Sequence, residues 1–246
     1  MKPSVRIVLV NTTHAGNVGG VARAMKNMGL AELYLVQPCK FRTYDGYARA
    51  SGANDIMDNA VVCEDLTEAL SGCTHVYGTS ARSRTLEWED CSARECAAQI
   101  GALGGSAQVA IVFGRERSGL TNEELALCHH RVYIPTDPSF ASLNLAAAVQ
   151  LLSYEIRMAL EGDSPAPAAA AAVRKEDEPA PADAMAHFYT HLESTLVGLG
   201  FLDPENPRQL MRRLRKLYQR AHPTRSELAI LRGILSLTDK AAAKDR

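Results

Sequence analysis

The sequence predicts an α/β domain built on a largely parallel sheet, followed by a small helical domain. Three observations carry this. Over the first 160 residues short β-rich runs alternate with helical patterns, the mark of a layered α/β unit. From 161 to 182 the composition turns to alanine, proline and acidic residues, including Pro165, Pro167, Pro179 and Pro181, with almost nothing large enough to bury. Beyond it come three helical patterns, Ala184–Leu199, Pro207–Gln219 and Ser226–Leu237, broken by 200–206 and by His222-Pro223. The expected organisation is a domain over 1–160, a flexible linker over 161–182 and a helical extension over 183–246.

The strand candidates in order are Arg6–Val10, Glu32–Val36, Ala60–Cys63, His75–Thr79, Val109–Phe113 and Arg131–Ile134, each a short run rich in β-branched and apolar residues. Between them Val18–Met28, Leu66–Leu70, Ala93–Leu103 and Asn122–Cys128 read as helices. Thr121 is the N-cap of the last, with Glu124 three residues on. In the final helix of the unit Leu145, Val149, Leu152, Ile156 and Ala159 recur at four- and three-residue steps and share one face, which must pack on the sheet or on another subunit.

Composition narrows the class. With 246 residues, 46% hydrophobic and 22% charged, the chain can bury a core, which excludes wholesale disorder. The six cysteines form no CxxC pair and no zinc-ligand spacing with histidine, so reduced thiols and no metal are expected. The N-terminal apolar run Ile7–Val10 is too short for an export signal, and Leu143–Leu160 is interrupted by Asn144, Gln150, Glu155 and Arg157, which a bilayer core does not accept cheaply. A soluble, cytoplasmic protein without membrane contact is expected.

The net charge of -1 hides an uneven distribution. Between Arg208 and Arg232 there are eight basic residues and one acid, Glu227. On a helical wheel Leu210, Leu214, Leu217 and Tyr218 gather on one side and Arg212, Arg213, Lys216 and Arg220 on the other. A solvated face usually mixes signs, because like charges one turn apart repel, so the pattern favours phosphate binding over mere solubility.

Three loops carry the candidate chemistry. Asn11–Gly20 joins a strand to a helix and is rich in glycine, yet lacks the GxGxxG order and the GK[ST] ending, so a structural turn would also explain it. Phe113–Leu120 leaves a strand at the edge where α/β sheets bind ligands, and Ile134–Leu145 runs from the last strand into the apolar helix.

Asn17-Val-Gly-Gly-Val-Ala-Arg23, Phe113-Gly-Arg-Glu-Arg-Ser-Gly-Leu120 and Ser142-Leu-Asn-Leu-Ala146 resemble, in order and spacing, the three motifs of the SPOUT-class RNA ribose 2'-O-methyltransferases. The resemblance covers roughly residues 4 to 160, and Thr79–Thr85 with the basic tail extends it. It implies a Rossmann-like sheet with a C-terminal trefoil knot, lined by these loops. It also implies S-adenosylmethionine held at Thr79, Ser80, Ala81, Gly114, Ile134, Ala141, Ser142 and Leu143, where small residues would let backbone approach the ligand. A homodimer that methylates cytidine or uridine at position 32 of the tRNA anticodon loop is the implied function. Another tRNA position, ribosomal RNA, or a non-catalytic RNA-binding protein of the same fold are the alternatives.

Methyl transfer from a sulfonium to a ribose oxygen demands alignment above all. The resemblance puts Arg23 beside the reacting hydroxyl. Because arginine stays protonated, a clamp on the adjacent phosphate suits it better than a base, though both readings stand. Ser142 either hydrogen-bonds the ribose oxygen or shapes its turn, and Asn17, Glu116 and Asn144 support the loops and Arg23. Arg82 and Arg84 are read as RNA contacts, Arg115 and Arg117 as either contacts or surface charge, and Phe41, Tyr44, Tyr47 and Trp88 as packing residues.

Overall fold

The computed structural model describes residues 2–81, 90–161 and 178–244. The chain divides into two compact units, Met1–Ala170 and Ala171–Arg246. In the first, the order along the chain is β1 (Ser4–Val10), α1 (Ala15–Asn27), β2 (Glu32–Val36), α2 (Tyr44–Ala50), α3 (Asn54–Asp58), β3 (Val61–Cys63), α4 (Leu66–Ala69), β4 (His75–Thr79), β5 (Asp90–Ser92), α5 (Ala93–Gly101), β6 (Gln108–Phe113), α6 (Asn122–Leu125), β7 (His130–Tyr133) and α7 (Leu145–Glu161). The second holds α8 (Ala182–Gly198), α9 (Leu210–Ala221) and α10 (Arg225–Lys244).

The strands form one parallel sheet in the order β3-β2-β1-β6-β4-β7-β5. The centre is β1 against β6, with Ile7 beside Ile111 and Leu9 beside Phe113. Ile7–Val10 and Val109–Phe113 are continuous apolar runs, buried on both faces of the sheet. The outermost β3 leaves Val61 and Val62 exposed. Two helices and one strand went unread in the sequence. The helices α2 and α3 are 7 and 5 residues, too short to display a helical period, and β5 is 3 residues with only Cys91 buried.

Helix α7 buries Leu145, Val149, Leu152, Ser153 and Ile156, and its apolar side packs into the main core beside Met25 of α1 and Ile100 of α5. Helix α6 opens with the expected capping box. Thr121 Oγ1 accepts from Glu124 N, and the Glu124 carboxylate accepts from Thr121 N, but the helix stops at Leu125.

Helix α1 starts at Ala15, three residues earlier than its pattern predicts, which places the glycines of the first loop inside a helix. Glycine there costs about 1 kcal/mol each against alanine. Close packing explains it: a Cβ on Gly19 would lie 2.0 Å from the Gly46 carbonyl oxygen in α2, and one on Gly20 would lie 2.9 Å from the Ala146 Cβ in α7.

In the second unit Met185, Phe188, Tyr189 and Leu192 of α8 pack with Leu228 and Leu235 of α10 and with Met211, Leu214 and Tyr218 of α9. Phe188 meets the Tyr218 ring edge-on at 4.9 Å. Leu217, assigned from the wheel to the packed side, is exposed instead, because the contacting stripe runs through Met211. Arg212, Arg213 and Arg220 are exposed and Lys216 is half-buried. The lone acid of the basic stretch, Glu227, is spent on a cap: its carboxylate accepts from Thr224 N at 2.8 Å while its own N–H donates to Thr224 Oγ1.

The linker boundaries need correction at both ends. Glu161 closes α7, and Glu178–Pro181 are built into the second unit, where Ala180 is buried and donates its N–H to Pro223 O at 2.8 Å. Residues 162–177 lie outside the described residues.

Candidate functional site

Strands β6, β4 and β7 are neighbours, so the loops leaving their carboxyl ends converge. Thr79 Oγ1 donates to Val112 O at 3.0 Å and Ser80 N to Val132 O at 2.9 Å, which fastens the β4 exit to both neighbours. The result is a cavity of about 270 Å³. Thr79, Ser80, Ala81, Gly114, Ile134, Ala141, Ser142 and Leu143 all line it. Phe113, Val132 and Leu145 supply apolar wall, and Glu116 a carboxylate. Apolar walls, exposed main-chain edges and charges of both signs, Glu116 with Arg115 and Arg117, suit a nucleoside-sized ligand with a flat ring and a charged tail.

Glu116 ties this cavity to the first loop. Its carboxylate accepts from Asn17 Nδ2 at 3.0 Å, from Thr13 N at 3.3 Å and from Thr13 Oγ1 at 3.2 Å. Asn144 Nδ2 in turn donates to Asn17 Oδ1 at 3.1 Å, and Asn144 Oδ1 accepts from Ala146 N at 2.9 Å, capping α7. One chain of hydrogen bonds therefore joins all three motifs across the point where the strand order reverses, between β1 and β6. Burial works to raise the Glu116 pKa, but the donors from Asn17, Thr13 and its own backbone outweigh it and hold the carboxyl below the usual glutamate range.

A model of the SpoU rRNA Methylase family matches residues 4–154, which takes in the sheet and all three loops. The chain belongs to that family. The C-terminal domain of the tRNA methyltransferase TrmJ matches residues 183–246. The tRNA (cytidine/uridine/adenosine-2'-O-)-methyltransferase TrmJ of Pseudomonas aeruginosa is 53% identical over 98% of this chain and 96% of its own length. The tRNA (cytidine/uridine-2'-O-)-methyltransferase TrmJ of Pectobacterium atrosepticum is 48% identical over 98% of each. Among solved structures, TrmJ from Z. mobilis superposes with a TM-score of 0.81 at 32% identity, covering 96% of this chain and 99% of that one.

Several of the expected site residues carry structural constraints of their own. Gly114 lines the cavity and is also held small by its own loop. A Cβ there would lie 2.1 Å from the Gly119 carbonyl carbon and 2.2 Å from Leu120 N, so the loop's own closure demands glycine. Ser142 is exposed at the cavity, and its hydroxyl has no hydrogen-bond partner among the described residues. Arg23 is exposed on α1, outside the cavity lining and without a partner among the described residues. Arg82, Arg84 and Trp88 lie outside the described residues. Phe41 is buried and Tyr47 packs with its hydroxyl on Asp58, whereas Tyr44 is 92% exposed rather than packed.

The sequence reading missed Thr13 and Asn11. Thr13 holds Glu116, and Asn11, with a left-handed φ of 50°, accepts from Arg115 Nη2 at 2.5 Å. Their only signal was position, directly after the first strand.

Proposed function

We propose that this SpoU-family enzyme transfers a methyl group from S-adenosylmethionine to the ribose 2'-oxygen of cytidine or uridine at position 32 of the tRNA anticodon loop. The observation that carries the reading is a cavity lined by the second and third motif loops, to which Asn17 of the first motif is tied through Glu116 and Asn144. The relatives named for tRNA 2'-O-methylation support the substrate, and tRNA chemistry belongs in the cytoplasm.

When bound, S-adenosylmethionine supplies an electrophilic methyl group. The residues around the cavity then have to align and desolvate an acceptor oxygen, a task of positioning. Ser142, with its hydroxyl uncommitted at the cavity mouth, hydrogen-bonds the ribose oxygen. Arg23 clamps the adjacent phosphate and stabilises developing charge; a guanidinium that stays protonated suits this better than proton abstraction. The stretch from Phe113 to Leu145 forms the trefoil knot of the class.

Arg23 does not line the cavity of its own chain, which supports a homodimer in which Arg23 of a second copy completes the site. Leu151, Tyr154 and Met158 form an exposed apolar stripe along α7, opposite its buried face, and supply a surface for that pairing. Arg212, Arg213, Lys216 and Arg220 hold the tRNA backbone.

A second reading is methylation at the wobble position. A structure concerned with 2'-OH methylation of C/U34 on tRNA matches at 26% identity and a TM-score of 0.52, but covers 63% of this chain. The additional helical unit favours the first reading. Mass-spectrometric mapping of 2'-O-methyl nucleosides in tRNA, with and without the protein, tests both: loss of methylation at position 32 is expected, and loss at position 34 alone would overturn the assignment.

A further inference from the structure

The two arginines that flank Glu116 in Phe113–Leu120 are alike in sequence and unlike in structure. Arg115 is committed. Its Nη1 donates to both oxygens of Glu124, at 3.0 and 2.9 Å, and its Nη2 donates to Asn11 Oδ1. Its carbonyl accepts from Gly119 N at 2.8 Å, which closes the turn. The Glu124 carboxylate that grips Arg115 also caps α6 through Thr121 N at 2.7 Å, so one acid pins both ends of the segment 115–121. Asn11 is itself braced, with its Nδ2 donating to Gln37 Oε1 at 3.2 Å. Arg117, two residues on, is exposed, lines the same cavity and has no partner among the described residues.

We propose that these arginines divide the work of the loop: Arg115 is a positioning residue that fixes the S-adenosylmethionine wall through Glu124 and Asn11, and Arg117 binds an RNA phosphate at the cavity mouth. The physical basis is the difference in what each can still do. Arg115 uses two nitrogens for two fixed partners, and a side chain 31% exposed between them has no reach left for RNA. Its effect passes through the backbone of 114–119, which forms the cavity lining. Arg117 has its whole fork available, which matches phosphate geometry. The inference rests on the function proposed above, since it needs both ligands.

The test measures the two affinities separately on the full chain. S-adenosylmethionine binding is followed by calorimetry without RNA, and tRNA binding across a salt series. Arg115→Lys keeps the charge but cannot serve both partners, so its cofactor Kd should rise roughly tenfold. Glu124→Gln retains an oxygen for the Thr121 cap while losing the ion pair, and Asn11→Gly retains the left-handed backbone while losing the acceptor; both should raise the cofactor Kd. In all three the KM for S-adenosylmethionine should rise more than kcat falls, at an unchanged tRNA Kd. Arg117→Ala should do the reverse, with cofactor Kd within about twofold and a salt slope for tRNA reduced by about one. Cofactor affinity unmoved in Arg115→Lys and Asn11→Gly, or tRNA affinity and slope unmoved in Arg117→Ala, overturns the division. A wild-type chain that binds no S-adenosylmethionine removes the proposed function and this inference with it; wild-type binding with unmoved variants removes the inference alone.

Discussion

Asn144 and Asn17, 127 positions apart in the chain, are joined by one hydrogen bond of 3.1 Å, from Nδ2 of the first to Oδ1 of the second. Each amide is fully assigned. Asn17 turns its NH2 to Glu116 and its oxygen to Asn144, while Asn144 turns its oxygen to Ala146 N. A flip of either amide breaks two bonds at once.

Asn17→Asp should therefore be worse than Asn17→Ala. The aspartate would set an acceptor and a like charge against the Glu116 carboxylate, where the alanine only leaves it short of one donor. A loss of about 1–3 kcal/mol is expected for the alanine, and a larger one for the aspartate, read by urea unfolding at neutral pH. Equal losses would mean that Glu116 does not feel the residue at 17.

Glu116 also predicts a pH dependence. Its folded pKa lies below the ordinary 4.5, so its contribution to stability is present above that value. It is lost as the pH falls from there through the lowered folded value. Unfolding free energy measured against pH should drop across this acid window in the wild type and drop less in Glu116→Gln. Parallel curves would remove the carboxylate from the account.

Two glycines in one loop should respond differently to the same substitution. Gly119 has a φ of 70° with nothing within 4 Å of a Cβ, so Gly119→Ala meets only backbone strain, about 1–2 kcal/mol. Gly114→Ala meets backbone at 2.1 Å and should unseat the loop, abolishing S-adenosylmethionine binding and lowering the thermal midpoint further. Retained binding in Gly114→Ala would contradict the packing of residue 114 against Gly119 and Leu120.

If the partner supplies Arg23, inactive subunits should complement. Arg23→Ala disables the donated residue, and Ala141→Trp fills the cavity. Mixed and re-equilibrated, half the dimers carry one intact site, so about a quarter of wild-type turnover should return. No recovery, with exchange verified by mass, would place Arg23 in its own chain's site.

Reversing Arg212, Arg213, Lys216 and Arg220 to glutamate should weaken tRNA binding and flatten its salt dependence by about three to four in slope, leaving S-adenosylmethionine affinity unchanged. Unchanged tRNA binding would make the basic face of α9 plain solvated surface.

Most of this architecture was legible because parallel strands buried on both faces write themselves as unbroken apolar runs, and α7 repeats its buried residues over 17 positions. The short α2 and α3 and the three-residue β5 could not be read, since periodicity needs length. At the site, the residues that surround the cavity came from motif resemblance, and their connections did not. Nothing in local spacing says that Asn17 spends its amide on a residue 99 positions away, or that Arg115 is held where Arg117 is not. The first depends on which strand lies beside which, and the second partly so, since Arg115 reaches back to Asn11 after β1.

The contact between Gly19 and Gly46 has a mechanical side. Gly19 touches the α2 backbone at a point two residues after Asn17 and four before Arg23. It is a fulcrum with Asn17 on one arm and, on the other, Arg23, proposed above to clamp the phosphate. Any side chain wedged there would rock α1, swinging Asn17 one way and Arg23 the other, about 6 Å of helix lying between pivot and arginine. Since a displacement near 1 Å can cost about a hundredfold in an aligned transfer, a methyl group at a position that does not line the cavity could silence the enzyme with the residues proposed for its site all intact.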